Sequence, residues 1–162
     1  MLHDFPLNGS ARTTRRSFLK ATSLAAAAGS LSIARSAHAA GDDVLKVGLI
    51  GCGGRGTGAA MNALNADPNA KVTALADAFD DRLQSCRAAL KKREPERADV
   101  PEEHCFVGFD AYQKVIDSGV DVVLLATTPH FRPQQLKACI DAGKHVFCEK
   151  PMAVDAPGIR SV

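Results

Sequence analysis

The chain has 162 residues, 46% hydrophobic and 23% charged, with 20 basic and 18 acidic residues for a formal net charge of +2. This is the composition of a chain able to bury a core, which excludes general disorder. So small a charge excess, part of it at Arg12, Arg15, Arg16 and Lys20, argues against a nucleic-acid partner.

Residues 1–39 read as a signal peptide. Thr14-Arg15-Arg16-Ser17-Phe18-Leu19-Lys20 supplies a basic region, residues 21–33 an uncharged apolar stretch, and Ala37-His38-Ala39 a small-x-small cleavage site. The apolar stretch is shorter than the roughly 20 residues that span a bilayer, so no stable membrane span is expected. The paired arginines resemble the twin-arginine export signal, which carries already folded proteins; the expected location is periplasmic or exported, with the twin-arginine machinery as a partner. The alternative is a basic amphipathic N-terminal helix.

The five cysteines, Cys52, Cys86, Cys105, Cys139 and Cys148, are odd in number and lack C-x-x-C spacing. That argues against a metal site or a disulfide framework and for buried thiols, which folding in the reducing cytosol before export would preserve.

Residues 40–152 form the second unit. An apolar, glycine-stopped run at 44–50 predicts a buried strand, and 55–66 a helix ended by Asp67-Pro68-Asn69. A strand at 71–76 and a helix at 79–92 follow, then a charged, proline-containing loop at 93–103 and a short strand at 104–107. Asp110 is expected to cap a helix running to Ser118-Gly119; a strand at 120–126, a helix at 133–142 and a strand at 144–148 complete the pattern. Strands regularly separated by helices, without hairpin signals, predict an α/β fold with a doubly wound parallel sheet.

Gly51-Cys52-Gly53-Gly54-Arg55-Gly56 matches G-x-G-x-x-G between the first strand and the first helix, the Rossmann arrangement. Gly51 permits the tight turn, Gly53 the close approach of a pyrophosphate, and Gly56 close packing of helix on strand, while the helix N-terminus offers free N–H groups to the phosphates. Asp77 stands where the fingerprint places its acid. Its carboxylate would accept from the ribose hydroxyls and repel a 2′-phosphate, and Ala78 offers no cation in compensation, so NAD is expected over NADP. The alternative is an ordinary glycine turn with Asp77 capping the next helix.

With Glu149-Lys150-Pro151 just past the fifth strand, the chain resembles the glucose-fructose oxidoreductase, inositol dehydrogenase and MocA family. The resemblance covers residues 45–162 and rests on Val47-Gly48-Leu49-Ile50-Gly51-Cys52-Gly53, on Asp77 with Arg82, on Ala126-Thr127-Thr128-Pro129-His130, and on Glu149-Lys150-Pro151. It implies a hydride transfer between NAD and a sugar, cyclitol or polyol. It also implies that Lys150 stands beside the nicotinamide and the substrate hydroxyl as the catalytic residue, with Glu149 near the ribose and nicotinamide. Thr127, Thr128, Pro129 and His130 would line the cofactor, and Arg82 would pack near the adenine. The bland alternatives are an exposed turn for Glu149-Lys150-Pro151, a helix start remote from substrate for His130, and a solvated side chain for Arg82.

Members of that family continue into a second α/β substrate domain, so residues 153–162 read as the start of a truncated C-terminal region and the fragment alone is expected to be inactive. A homo-oligomer is an option for the full-length form. Two other functions compete: an NAD-dependent glycosidase of the same family, against which the intact Glu149-Lys150-Pro151 argues, and a non-catalytic nucleotide-binding fragment.

Overall fold

A computed structural model of the chain describes residues 43–162; the leader assigned to residues 1–39 lies outside the described residues. Five strands, β1 (Leu45–Ile50), β2 (Ala70–Asp77), β3 (Cys105–Val107), β4 (Val122–Leu125) and β5 (His145–Cys148), form one sheet in the order β3-β2-β1-β4-β5. Every pairing is parallel. Between them run α1 (Gly54–Ala66), α2 (Asp80–Arg93), α3 (Ala111–Asp117) and α4 (Arg132–Asp141), and α5 (Ala156–Ser161) follows. This is the doubly wound Rossmann arrangement that the alternation of strands and helices predicts.

Alternation along the strands splits the core between the two faces of the sheet. Val47, Leu49, Leu75 and Leu124 pack with Leu64 of α1 and with Leu83 and Leu90 of α2. Ile50, Ala76, Val123 and Leu125 pack with Val115 of α3 and Cys139 of α4. Burying one such leucine stabilises the fold by about 1.5–3 kcal/mol. The β1–β2 register shifts between Val47 and Gly48: Val47 pairs with Val72 and Gly48 with Ala74, so Thr73 is an extra residue in β2. Val72 and Ala74 consequently face opposite sides of the sheet.

Several expected details are corrected. β4 is shorter than the apolar run, starting at Val122; Asp121, just before it, donates its N–H to the Lys46 carbonyl at 2.8 Å while its side chain accepts from the Lys46 N–H at 2.8 Å. His104 belongs to a 3₁₀ turn (Glu102–His104), where its ring meets the Thr73 carbonyl at 3.0 Å. Asp110 stands at the N-cap of α3 but makes no side-chain cap hydrogen bond. Helix α5 was not expected; the Asp155 carboxylate starts it by accepting from the Gly158 N–H at 2.7 Å. Cys52, Cys86 and Cys139 are buried, Cys105 and Cys148 half-buried, and all five are free thiols.

Candidate nucleotide site

The chain leaves β1 toward opposite faces on its two sides, first through α1 to β2 and later through α3 to β4. The carboxyl ends of β1 and β4 therefore part, and an open α/β sheet keeps its ligand crevice at such a switch point. A cavity of about 280 Å³ lies there, walled by the end of β1, Asp77 to Phe79, Arg82, Phe109, Tyr112, Thr127, Thr128, Phe131 and Gln135.

Its floor is the glycine loop. Gly51 has φ +99°, and a Cβ there would lie 2.7 Å from the Ala126 carbonyl carbon, so turn and strand can meet only without a side chain. A Cβ at Gly56 would lie 1.8 Å from the Gly51 carbonyl oxygen, which is why helix and turn can touch. Gly53 and Gly54 face open space, leaving the first turn of α1 bare toward any phosphate.

Asp77 ties this loop to β2. Its carboxylate accepts from the Cys52 N–H at 2.6 Å and from the Phe79 N–H at 3.0 Å. Each oxygen keeps acceptor capacity for the ribose hydroxyls of a nucleotide, and α2 begins only after Phe79, so Asp77 is not its cap residue. Beneath the loop the Cys52 thiol donates to the Ala76 carbonyl at 3.5 Å; interaction with the neighbouring Cys86 thiol first, and burial second, push the Cys52 pKa up, and the same interaction lowers that of Cys86. Burial raises the remaining thiols, Cys139 to about 11.

On the far side of the crevice one buried arginine organises the chain. The Arg132 guanidinium donates to the Thr127 carbonyl at 2.8 Å and to the carbonyls of Glu149 and Pro151, the two neighbours of Lys150. Gln135, also buried, lies 2.6 Å from the Thr127 hydroxyl, which donates to it. The Lys150–Pro151 bond is cis. Lys150 is exposed, and Glu149 is only 8% exposed, its carboxylate ion-paired with Arg55 of the glycine loop.

The structure therefore brings Gly51 to Gly56, Asp77, Arg82, Thr127 and Thr128 to the crevice, with Glu149 reaching the glycine loop. Arg82 stacks its guanidinium 5.5 Å from the Phe79 ring at the outer wall. Pro129 and His130 sit outside that wall, on the turn into α4, with His130 edge-on to Phe131 at 5.0 Å. Sequence reasoning missed Arg132, whose partners are carbonyls without a sequence signature. It also missed the aromatic wall of Phe79, Phe109 and Phe131. The signal for that wall was a large apolar residue directly after a strand's polar or glycine end, at Asp77-Ala78-Phe79 and Gly108-Phe109.

The family model described as oxidoreductase family, NAD-binding Rossmann fold, matches residues 45–162. The chain belongs to this family. Among its relatives is a myo-inositol 2-dehydrogenase of Thermotoga maritima, 30% identical over 111 residues that make up 68% of this chain and 29% of that protein. A glycosyl hydrolase family 109 protein 2 of a Shewanella species is 35% identical over 158 residues, 86% of this chain and 34% of its own. The crystal structure of scyllo-inositol dehydrogenase from Lactobacillus casei with NAD(H) and scyllo-inositol superposes with a TM-score of 0.58 at 27% identity, covering 73% of this chain and 31% of that one. The chain thus spans about a third of the length of these relatives. The family's cofactor is NAD, and the glycine loop, the free first turn of α1 and the Asp77 carboxylate fit it.

Proposed function

We propose that this chain is the cofactor-holding part of a dehydrogenase that moves a hydride between NAD and a carbinol carbon of a cyclitol, sugar or related polyol. One observation carries the reading: the Asp77 carboxylate and the glycine loop stand on one side of the sheet's switch point, and Glu149-Lys150 is strapped by Arg132 on the other. Asp77, Gly53 and Gly54 would hold the adenosine and pyrophosphate of a dinucleotide, and Lys150 would stand at its nicotinamide end. NAD, when bound, supplies the hydride acceptor. Lys150 orients the substrate hydroxyl and takes part in removing its proton as the hydride leaves the carbon. Gly51, Cys52, Gly53, Gly54, Arg55 and Gly56 hold the pyrophosphate, Asp77 and Arg82 the adenosine, and Thr127, Thr128 and Glu149 the nicotinamide half.

The inositol dehydrogenases among the relatives support the cyclitol reading. The family 109 glycosyl hydrolases favour a second reading, NAD-assisted glycoside cleavage, at the same site. Both are tested on the protein carrying this chain by following NADH formation with a panel of inositols and sugars, and sugar release from glycosides, each beside Lys150→Ala. NADH formation that Lys150→Ala abolishes supports the dehydrogenase. Glycoside cleavage without net NADH supports the hydrolase, and turnover indifferent to Lys150→Ala removes the lysine from the mechanism.

Export through the twin-arginine route is part of the same proposal, resting on Arg15-Arg16 and Ala37-His38-Ala39. Changing both arginines to lysine should leave the protein in the cytoplasm with its leader attached. Trimming after Ala39 in the double variant would favour the general secretory route.

A further inference from the structure

Arg55 and Glu149 come from opposite halves of the crevice. Arg55 lies in the first turn of α1, above the end of β1, and Glu149 follows β5, its N–H bonded to the Leu125 carbonyl at 3.0 Å. Since β4 lies between β1 and β5, their ion pair crosses over the carboxyl end of β4. The two partners are unequal. The Arg55 side chain is 55% exposed and ends a flexible stem, whereas Glu149 is buried and, apart from this ion pair, its Oε1 has no hydrogen-bond partner among the described residues.

The pair also stands where a pyrophosphate would lie. The first turn of α1, with Gly53 and Gly54 open to solvent, is the anion-binding end of the helix, and Arg55 is the cation on that turn. A mobile guanidinium next to a diphosphate exchanges a single carboxylate for an anion of higher charge with more acceptor oxygens.

We infer that Arg55 is a charge latch across the cofactor path: it pairs with Glu149 in the structure described and exchanges that partner for the pyrophosphate of a bound nucleotide, freeing the Glu149 carboxylate toward the nicotinamide end. This rests on the nucleotide-site reading above. Arg55 pulls the Glu149 pKa below its ordinary value of 4.5, by hydrogen bond first and charge second. The pair is therefore fully present above that value and is lost only as pH falls through the lowered one, so the latch operates throughout the neutral range.

The latch competes with phosphate for Arg55, which makes a counterintuitive result measurable. Calorimetric titration of the chain with ADP, which lacks the nicotinamide half and so does not report contacts of Glu149 with it, should show tighter binding in Glu149→Gln. The gain should be about two- to fivefold, the range open to a half-exposed ion pair. Arg55→Ala should weaken ADP at least about threefold and should cancel the gain when combined with Glu149→Gln. Adenosine, without phosphate, should bind all variants alike, which separates the latch from a general change in folding. Unchanged or weaker ADP binding by Glu149→Gln overturns the latch, as does a gain that persists in the Arg55→Ala background. Failure of the unaltered chain to bind ADP would overturn the nucleotide-site reading, and the latch with it.

Discussion

Val47, Leu49 and Ile50 of β1 and Ala74, Leu75 and Ala76 of β2 are at most 2% exposed, whereas in β5 Phe147 is 48% exposed and the strand alternates between exposed and half-buried residues. Ile140 on α4 and Ile159 on α5 are exposed as well. The β1–β2 half, with its glycine loop and Asp77, is thus finished by packing on both faces. The β5 half is held at its Lys150 end by polar contacts, the Arg132 strap above all. The Asp77 end of the crevice stands on a buried core and adds the Asp77 hydrogen bonds to it, while the Lys150 end depends chiefly on hydrogen bonds to backbone carbonyls.

That difference should appear first in stability. Leu49→Ala removes a fully buried side chain and should cost about 3 kcal/mol in denaturant unfolding. Equal losses from Leu49→Ala and Phe147→Ser would abolish the distinction. Within the finished half, Gly56→Ala should cost about 2 kcal/mol, because its Cβ collides with the Gly51 carbonyl. Gly54→Ala, which meets nothing within 4 Å, should leave the thermal midpoint essentially unchanged. A smaller effect is expected at Asp77: Asp77→Asn keeps the side-chain shape but removes the charge that repels a 2′-phosphate. The preference for NAD over NADP in calorimetric titration should fall about tenfold, or about 1.4 kcal/mol. An unaltered preference would take Asp77 out of cofactor choice. The smallest effect belongs to the open edge, where Phe147→Ser should change stability by less than about 0.5 kcal/mol.

The same contrast accounts for what was legible in the sequence. Strands and helices of the β1–β2 half followed from apolar runs and glycine stops, because burial leaves a periodic trace; the glycine loop and Asp77 followed because only glycine fits where backbones touch. The retreat of β4 to Val122 was hidden because Val120 extends the apolar run across Asp121, whose side chain takes the Lys46 N–H only in the folded chain. Helix α5 was hidden by Pro157 and Gly158, poor helix formers rescued by the Asp155 carboxylate. Arg132 reads in sequence as a solvated arginine at a helix start, and only the folded chain brings the carbonyls of Thr127, Glu149 and Pro151 around its guanidinium.

The extra residue at Thr73 has a consequence for how far apart the glycine loop and the acid can stand along the chain. Strand side chains point alternately to the two faces, so one inserted residue reverses every side chain beyond it unless a bulge takes it up, as the bulge at Thr73 does. With Thr73 present, Leu75 lies on the face of Leu49, and Asp77, two residues on, keeps that face and meets the Cys52 amide. Shortening β2 by Thr73 would restore an unbroken ladder in which Val72 and Ala74, now adjacent, still face opposite sides, so Asp77 would keep its side of the sheet and its reach to the Cys52 amide. Residues added between α1 and β2, around Asp67-Pro68-Asn69, would only lengthen a surface turn. The interval from the last loop glycine to the acid is therefore elastic in the turn and, by the one residue the bulge takes up, within the strand as well.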